Sequence, residues 1–425
     1  MTRRVALRAA GDETVADLMT APVATIPDDE YLYAAVARMQ REDRRHMPVC
    51  DNNGRLTGIL DLHDALAECA GELVDQIQAL TQSDTIDGLT ARKAAQATLA
   101  TQLAEEGLAV DRIQRLISEM NADTYARIVD RHLAEMKDEG LGDPPVAFDV
   151  ITMGSGARFE SMMYPDQDNG FVLADYDPSD HTHIDGWFID LADRMTRSLD
   201  AVGIPLCTGN VMATNPLWRK PVSDWRAQLS HWASRRTPNL LRHMEIISDF
   251  APVWGTGKLA ADVRSMVMDT VRGNDALLRG IGSSDGVHGP ALTWFRGFIT
   301  VKEPVEYGGC INMKHYGTLP VVSGARIMAL RAGISATPTL ERLRLLHDEC
   351  VFKNDPYDEL IAAYRLSSGL LLREQIAAYQ AGRAVTNFID PKRLTRRQRG
   401  DLKRAFIVIR DFHKRIRFEF AGEMY

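Results

Sequence analysis

Gly154-Ser155-Gly156-Ala157-Arg158-Phe159-Glu160 and, after a short spacer, Asp166-Gln167-Asp168-Asn169 decide how this chain reads. The residues before them, Val-Ala-Phe-Asp-Val-Ile-Thr-Met at 146–153, predict a strand. A strand running into Gly154-Ser155-Gly156 predicts a tight turn whose backbone N–H groups can approach a phosphate closely. Ser155 adds a hydroxyl donor and Arg158 a planar cation. Taken alone, such a loop is most often a plain turn. Asp166 and Asp168 lead into a second strand candidate, Gly170-Phe171-Val172-Leu173-Ala174. Residues i and i+2 of a strand share a face, so the two carboxylates would stand together. A pair of this kind suits a hard, oxygen-seeking cation. A lone Asp-x-Asp is more often a solvated turn, but glycine loop and carboxylate pair together, flanked by strands, form a far more specific pattern.

Outward from this centre, Phe188, Leu191, Ala192, Met195, Leu199 and Val202 form a helical stripe stopped by Gly203. A short strand is expected around Ile204–Met212, and helical periodicity dominates from about residue 222 onward. Leu402, Phe406, Ile409, Phe412 and Ile416 mark the last long helix. Upstream, residues 65–138 are rich in Ala, Leu, Gln and Glu without proline, which predicts helices broken near Asp87-Gly88 and Glu106-Gly107. Gly140-Leu141-Gly142-Asp143-Pro144-Pro145 punctuates the chain. Residues 15–68 read as strand, helix, strand, helix, with Met47-Pro48-Val49-Cys50 a short buried strand.

The chain has 425 residues, enough for two to four domains. Its net charge of -8 argues against a general nucleic-acid coat. The five cysteines are scattered without a CxxC, so neither a disulfide framework nor a zinc site is expected. No apolar segment follows Arg3 and Arg4, and no apolar run is long enough to span a bilayer. A cytoplasmic protein is expected, without membrane or nucleic-acid partners.

The stretch Gly154–Asp175 resembles the nucleotidyltransferase domain of the polymerase-β-like superfamily. Within it, the match is to the nucleotidyltransferases that accompany CBS domains, relatives of the uridylyltransferase that modifies the PII signalling protein. Their signature is present as Gly154-Ser155, Arg158-Phe159-Glu160 and Asp166-Gln167-Asp168-Asn169. Pro205-Leu206-Cys207, Val211–Pro216 and Trp218-Arg219 are similar to the next family block. Phe298–Lys302, Asn312-Met313-Lys314 and Ala325–Leu330 are similar to its helical substrate-binding domain. The resemblance implies that Gly154, Ser155 and Arg158 hold a nucleoside triphosphate and that Asp166 and Asp168 hold Mg²⁺, with Mn²⁺ as the alternative. It implies a third carboxylate, for which Asp249 is the candidate, and a nucleotide-facing or acceptor-facing role for Lys314. The sequence departs from the family pattern at Ala251, where an arginine is usual, and at Pro165.

Val15–Met19, His46–Val49 and Gly58–Asp64 look like one CBS motif, with Asp64 at the ribose-binding position. A lone motif leaves half its packing surface open, so pairing across a homodimer is expected. The resulting fold class is α+β and helix-rich. A single CBS motif (1–68) and a helical region (69–138) precede a nucleotidyltransferase domain (139–260) and a helical substrate-binding domain (261–425). The implied reaction moves a nucleoside monophosphate from an NTP to an acceptor hydroxyl, on a protein or a small molecule, releasing pyrophosphate. The alternative is a non-enzymatic nucleotide sensor.

Other features read more plainly. His181 and His183 lack a recognisable third ligand and read as a solvated loop. Trp218, Trp225 and Trp232 read as a core stripe on a helix, and Gly255-Thr256-Gly257-Lys258 as a turn rather than a phosphate loop. The basic run from Lys392 to Arg404 reads as a solvated helix face, and Gly280–Gly289 as a connecting loop.

Overall fold

The computed structural model describes residues 23–30, 32, 35, 38–39, 44–51, 53–62, 65, 85–105, 107–284, 291–293, 297–352 and 354–421. The chain divides into two compact units, Met1–Gln82 and Ser83–Tyr425. In the first, β1 (Ile26–Pro27), β2 (His46–Cys50) and β3 (Leu56–Asp61) form a small sheet in that order. Met47 is the buried residue of β2; its other positions are half-buried or exposed, so this strand is not buried along its length. Ile26, Ala35, Met39 and Met47 make a small core of their own. Asp64 lies outside the described residues.

The second unit begins with α1 (Ile86–Glu105) and α2 (Val110–Asp138), separated at Gly107. The expected break at Asp87-Gly88 is the start of α1 instead. Next come β4 (Phe148–Met153), the one-turn α3 (Gly154–Ala157), β5 (Asn169–Leu173) and α4 (His181–Val202). Gly203, at φ +100°, ends α4 in the left-handed conformation that glycine adopts without steric cost. The strand expected around Ile204–Met212 is absent; that segment is turns and loop, and the chain re-enters the sheet at β6 (Arg219–Pro221). Its backbone is used in another way: Pro205 and Val211 carbonyls accept from the N–H groups of Gln167 and Asn169.

After α5 (Val222–Arg235) and α6 (Pro238–Ile247), β7 (Phe250–Trp254) completes a four-stranded sheet of order β6-β5-β4-β7. β4 runs antiparallel to β5 and β7, and β6 runs parallel to β5. Strand alternation divides the sheet's residues between two cores. Phe148, Val150, Phe171 and Leu173 pack with Phe188, Leu191 and Met195 of α4 and Tyr125, Ile128 and Val129 of α2. Ile151, Met153 and Val172 face the larger core, which extends without interruption into the C-terminal helices.

Those helices are α7 (Lys258–Val271), α8 (Asp275–Ser284), α9 (Leu319–Arg331), α10 (Thr339–Asp348), α11 (Asn354–Gln380) and α12 (Arg396–Ile416). A short β8–β9 ladder (Ile311–Asn312 with Phe388–Ile389) ties the start of α9's approach to the chain before α12. The expected division at 260/261 falls inside α7. All five residues of the expected α12 stripe are buried, and a Thr395–Gln398 capping box starts that helix. Trp218, Trp225 and Trp232 are buried as expected, although Trp218 sits in the turn before β6 and not on a helix. His181 and His183 are exposed on the first turn of α4. Gly280–Ser284 belong to α8, and the rest of that expected loop lies outside the described residues. Among the described residues, no helix is long and apolar enough to cross a membrane.

Candidate active site

The end of β4, the α3 turn and the entry to β5 meet at one point. Met153 N–H donates to the Asp168 carbonyl at 2.8 Å, and Gly154 N–H donates to the Asp249 carbonyl at 2.9 Å. Gly154 has φ +62°, and a Cβ built on it would stand 2.9 Å from Asp168 Oδ2. Glycine is required here twice over, by the backbone and by the carboxylate pressed against it.

The Asp-Gln-Asp-Asn segment alternates. Gln167 and Asn169 are fully buried. Gln167 donates to the carbonyls of Thr196 and Ile204, and Asn169 accepts from Ala213 N–H. These amides fasten the strand from behind and leave Asp166 and Asp168 on the other face. Asp166 is exposed and Asp168 half-buried. Their carboxylate oxygens and the Cys207 sulfur lie within 4.8 Å of one another, a grouping able to surround a metal ion.

The chemistry of this donor set fits a hard divalent cation. Burial and the neighbouring Asp166 charge raise Asp168 to about 6; the Cys207 thiol, Lys314 and Arg158 pull it back in part. Two like charges short of a counter-charge form a ready cation site. Cys207 is not a natural member of it. Burial pushes its thiol up to about 11, and it serves Asp168 as a hydrogen-bond partner.

Asp249 stands elsewhere. Its side chain is fully buried and surrounded by three guanidinium groups. Arg158 Nη1 lies 2.9 Å and Arg326 Nη2 2.8 Å from Oδ2, while Arg342 Nη2 lies 2.6 Å from Oδ1. Burial alone would raise this carboxyl; Arg326, Arg342 and Arg158 together hold it well below the usual range. Asp249, the expected third carboxylate, is thus ion-paired with three arginines, and among the described residues the metal-capable group does not include it.

Arg158 is likewise committed in part. It donates from Nε to Glu160 at 2.7 Å and from Nη1 to Asp249 at 2.9 Å. Burial opposes its charge, but Glu160 and Asp249 outweigh this and raise it further. Nη2 makes no hydrogen bond among the described residues. Glu160 in turn accepts from Thr339 N–H at 2.7 Å, and the Thr337 hydroxyl donates to the Ala157 carbonyl. The turn that precedes the carboxylate pair is thus held from the C-terminal helices.

A cavity of about 280 Å³ opens beside this turn. Ser155, Arg158, Asp166 and Lys314 all line it, so the structure gathers four of the expected site residues around one space. Lys314 is exposed on the π-helical turn Lys314–Thr318 and makes no ion pair among the described residues. Gln114, Tyr364 and Gln375 line the same cavity and were not read from the sequence. Arg326 had a legible signal: an arginine inside the apolar run Val321–Leu330 demands a buried partner. Arg342 and Gln114 had none, since polar residues on helices usually face water. The Gly255–Lys258 segment is a turn, as expected; Asp149 accepts from Gly257 and Ala260 N–H groups and occupies the start of α7.

Comparison with known families adds three findings. Residues 94–239 match the model described as "Putative nucleotidyltransferase DUF294". Residues 275–420 match "Putative nucleotidyltransferase substrate binding domain". Residues 15–71 match "CBS domain". No curated protein matches the chain.

Proposed function

From the premise that this chain belongs to the CBS-associated family of nucleotidyltransferases, we propose that it transfers a nucleoside monophosphate from an NTP to an acceptor hydroxyl, releasing pyrophosphate. The observation that carries this reading is the single cavity edged by Ser155, Arg158, Asp166 and Lys314, with Asp168 alongside. Asp166 and Asp168 hold Mg²⁺, or Mn²⁺ in its place. When bound there, the cation supplies charge neutralisation to the triphosphate and to the departing pyrophosphate. Lys314 and the unpaired edge of Arg158 hold phosphate oxygens, and Ser155 adds a hydroxyl donor beside the α3 turn. Gln167 and Asn169 keep the carboxylate pair in place without touching substrate. Catalysis then rests on positioning and electrostatics, as phosphoryl-transfer chemistry requires.

The acceptor is a hydroxyl on a protein, as for the PII-modifying relatives, or on a small molecule. The CBS segment pairs with that of a second subunit, giving a homodimer.

Incubation with each α-labelled NTP, Mg²⁺ and a cell extract tests the reaction. Label transfer or pyrophosphate release is expected, falling by at least about a thousandfold in Asp166→Asn/Asp168→Asn. Nucleotide binding without turnover against any acceptor would instead identify a sensor.

A further inference from the structure

One residue lining the cavity carries a buried acceptor with no donor among the described residues. Gln114, on α2, is 1% exposed and lines the space. Its Nε2 donates to the Glu160 carbonyl at 3.0 Å and reaches Met162 Sδ at 3.9 Å. That bond fixes the amide's orientation, because the flipped amide would set two oxygens against each other. Oε1 is left buried and, among the described residues, without a hydrogen bond. Buried carbonyl-type oxygens are almost always satisfied, so an orphan at a cavity wall points to a ligand donor.

The surroundings limit what that ligand is. Ser155, Asp166 and Lys314 give the cavity polar and charged lining. Leu319, Val322 and Leu371 give it apolar walls. This mix of lining suits a ligand that joins anionic groups to a flat, partly apolar group with an N–H at its edge. On the transferase reading above, on which this inference rests, that group is the nucleobase.

We propose that Gln114 Oε1 accepts a hydrogen bond from the exocyclic amine of the base, and that the site takes an amino-bearing nucleotide, adenine foremost, over uracil. Uracil is the base without an amine. Its N3–H lies between two carbonyl oxygens, each an acceptor like Gln114 Oε1 itself. Gln114 Nε2 donates to the Glu160 carbonyl and reaches Met162 Sδ, so both of its N–H groups have partners. Adenine has an amine and no carbonyl, so it leaves no unpaired oxygen against the apolar walls. A site that hydrogen-bonds one substrate group rejects an analogue lacking it more strongly than an apolar pocket rejects a change of size.

The test is calorimetric binding to the full chain with Mg²⁺, using four probes: α,β-methylene ATP, α,β-methylene UTP, the corresponding purine riboside nucleotide, which lacks only the 6-amine, and inorganic tripolyphosphate. The ATP analogue should bind about tenfold or more tightly than the UTP and purine riboside analogues. In Gln114→Met the three should converge, while tripolyphosphate affinity stays unchanged. The purine riboside comparison is made on the unaltered protein, so it stands even if the variant folds poorly. Equal binding of the ATP and purine riboside analogues overturns the base assignment and leaves the transferase reading intact. Failure of every probe, tripolyphosphate included, overturns both.

Discussion

At Gly154 a single methyl group separates a working geometry from a displaced one. The added Cβ would press on Asp168 Oδ2 at 2.9 Å while φ +62° strains any L side chain. Gly154→Ala should therefore weaken Mn²⁺ binding by about 10- to 100-fold, the usual consequence of disturbing a ligand's support, as read by electron paramagnetic resonance. Asp249 illustrates the opposite case, a carboxylate held for structure. Asp249→Asn would leave Arg158, Arg326 and Arg342 facing a neutral amide in the interior. Removing one partner of a buried ion cluster costs about 3–5 kcal/mol, which urea denaturation would measure. The sign of its pH dependence follows from the depressed folded-state value. Its contribution is fully present above the unfolded value of 3.8 and is lost progressively as pH falls below it. The Asp249→Asn variant should lack that acid-induced loss.

Among the elements, α2 links several functions. It packs on the sheet through Tyr125, Ile128 and Val129, and reaches the cavity through Gln114. His132 joins it to α4, with Nε2 2.8 Å from Ser198 Oγ. Its contact with α1 includes a buried amine: Lys93 Nζ donates to Gln96 Oε1 at 2.6 Å and Asn121 Oδ1 at 2.8 Å. Burial lowers this lysine to about 7 from 10.5. Between those two values the unfolded chain binds the proton and the folded chain does not, so stability rises with pH across that window. Lys93→Met should flatten that rise, seen as similar urea midpoints near the two ends of the window. The same elements show what local pattern reveals. The α4 and α12 stripes and the β4 and β5 strands were legible because one face of each is apolar at a fixed period. The segment 204–212, expected as a strand, is turns and loop, and its buried residues Ile204, Val211 and Met212 pack as single side chains. Their period carries no ladder there, and the backbone instead accepts from Gln167 and Asn169.

For the whole molecule, the division that matters lies between Met1–Gln82 and Ser83–Tyr425. Within the larger unit, position 260/261 falls inside α7, and the main core runs from Ile151 and Val172 through α9, α11 and α12. A protein comprising residues 83–425 should unfold in one cooperative transition and bind nucleotide as the full chain does. If the CBS segment makes the dimer, the shortened protein should be monomeric by light scattering and the full chain dimeric. A dimeric 83–425 unit, or a monomeric full chain, would refute that assignment.

Local pattern sufficed for the turn at Gly154–Gly156, the pairing of Asp166 with Asp168 and the helical character of the flanks. Each follows from short-range rules of backbone conformation and side-chain period. Long-range packing alone makes Asp249 an arginine hub, places Gln114 in the cavity lining with an unpartnered oxygen among the described residues, and runs one core from the sheet into the C-terminal helices. Those facts depend on which residues distant in the chain meet in the interior. Charge pairing and hydrogen-bond satisfaction are set there by the packing of several elements at once, and no local pattern records it.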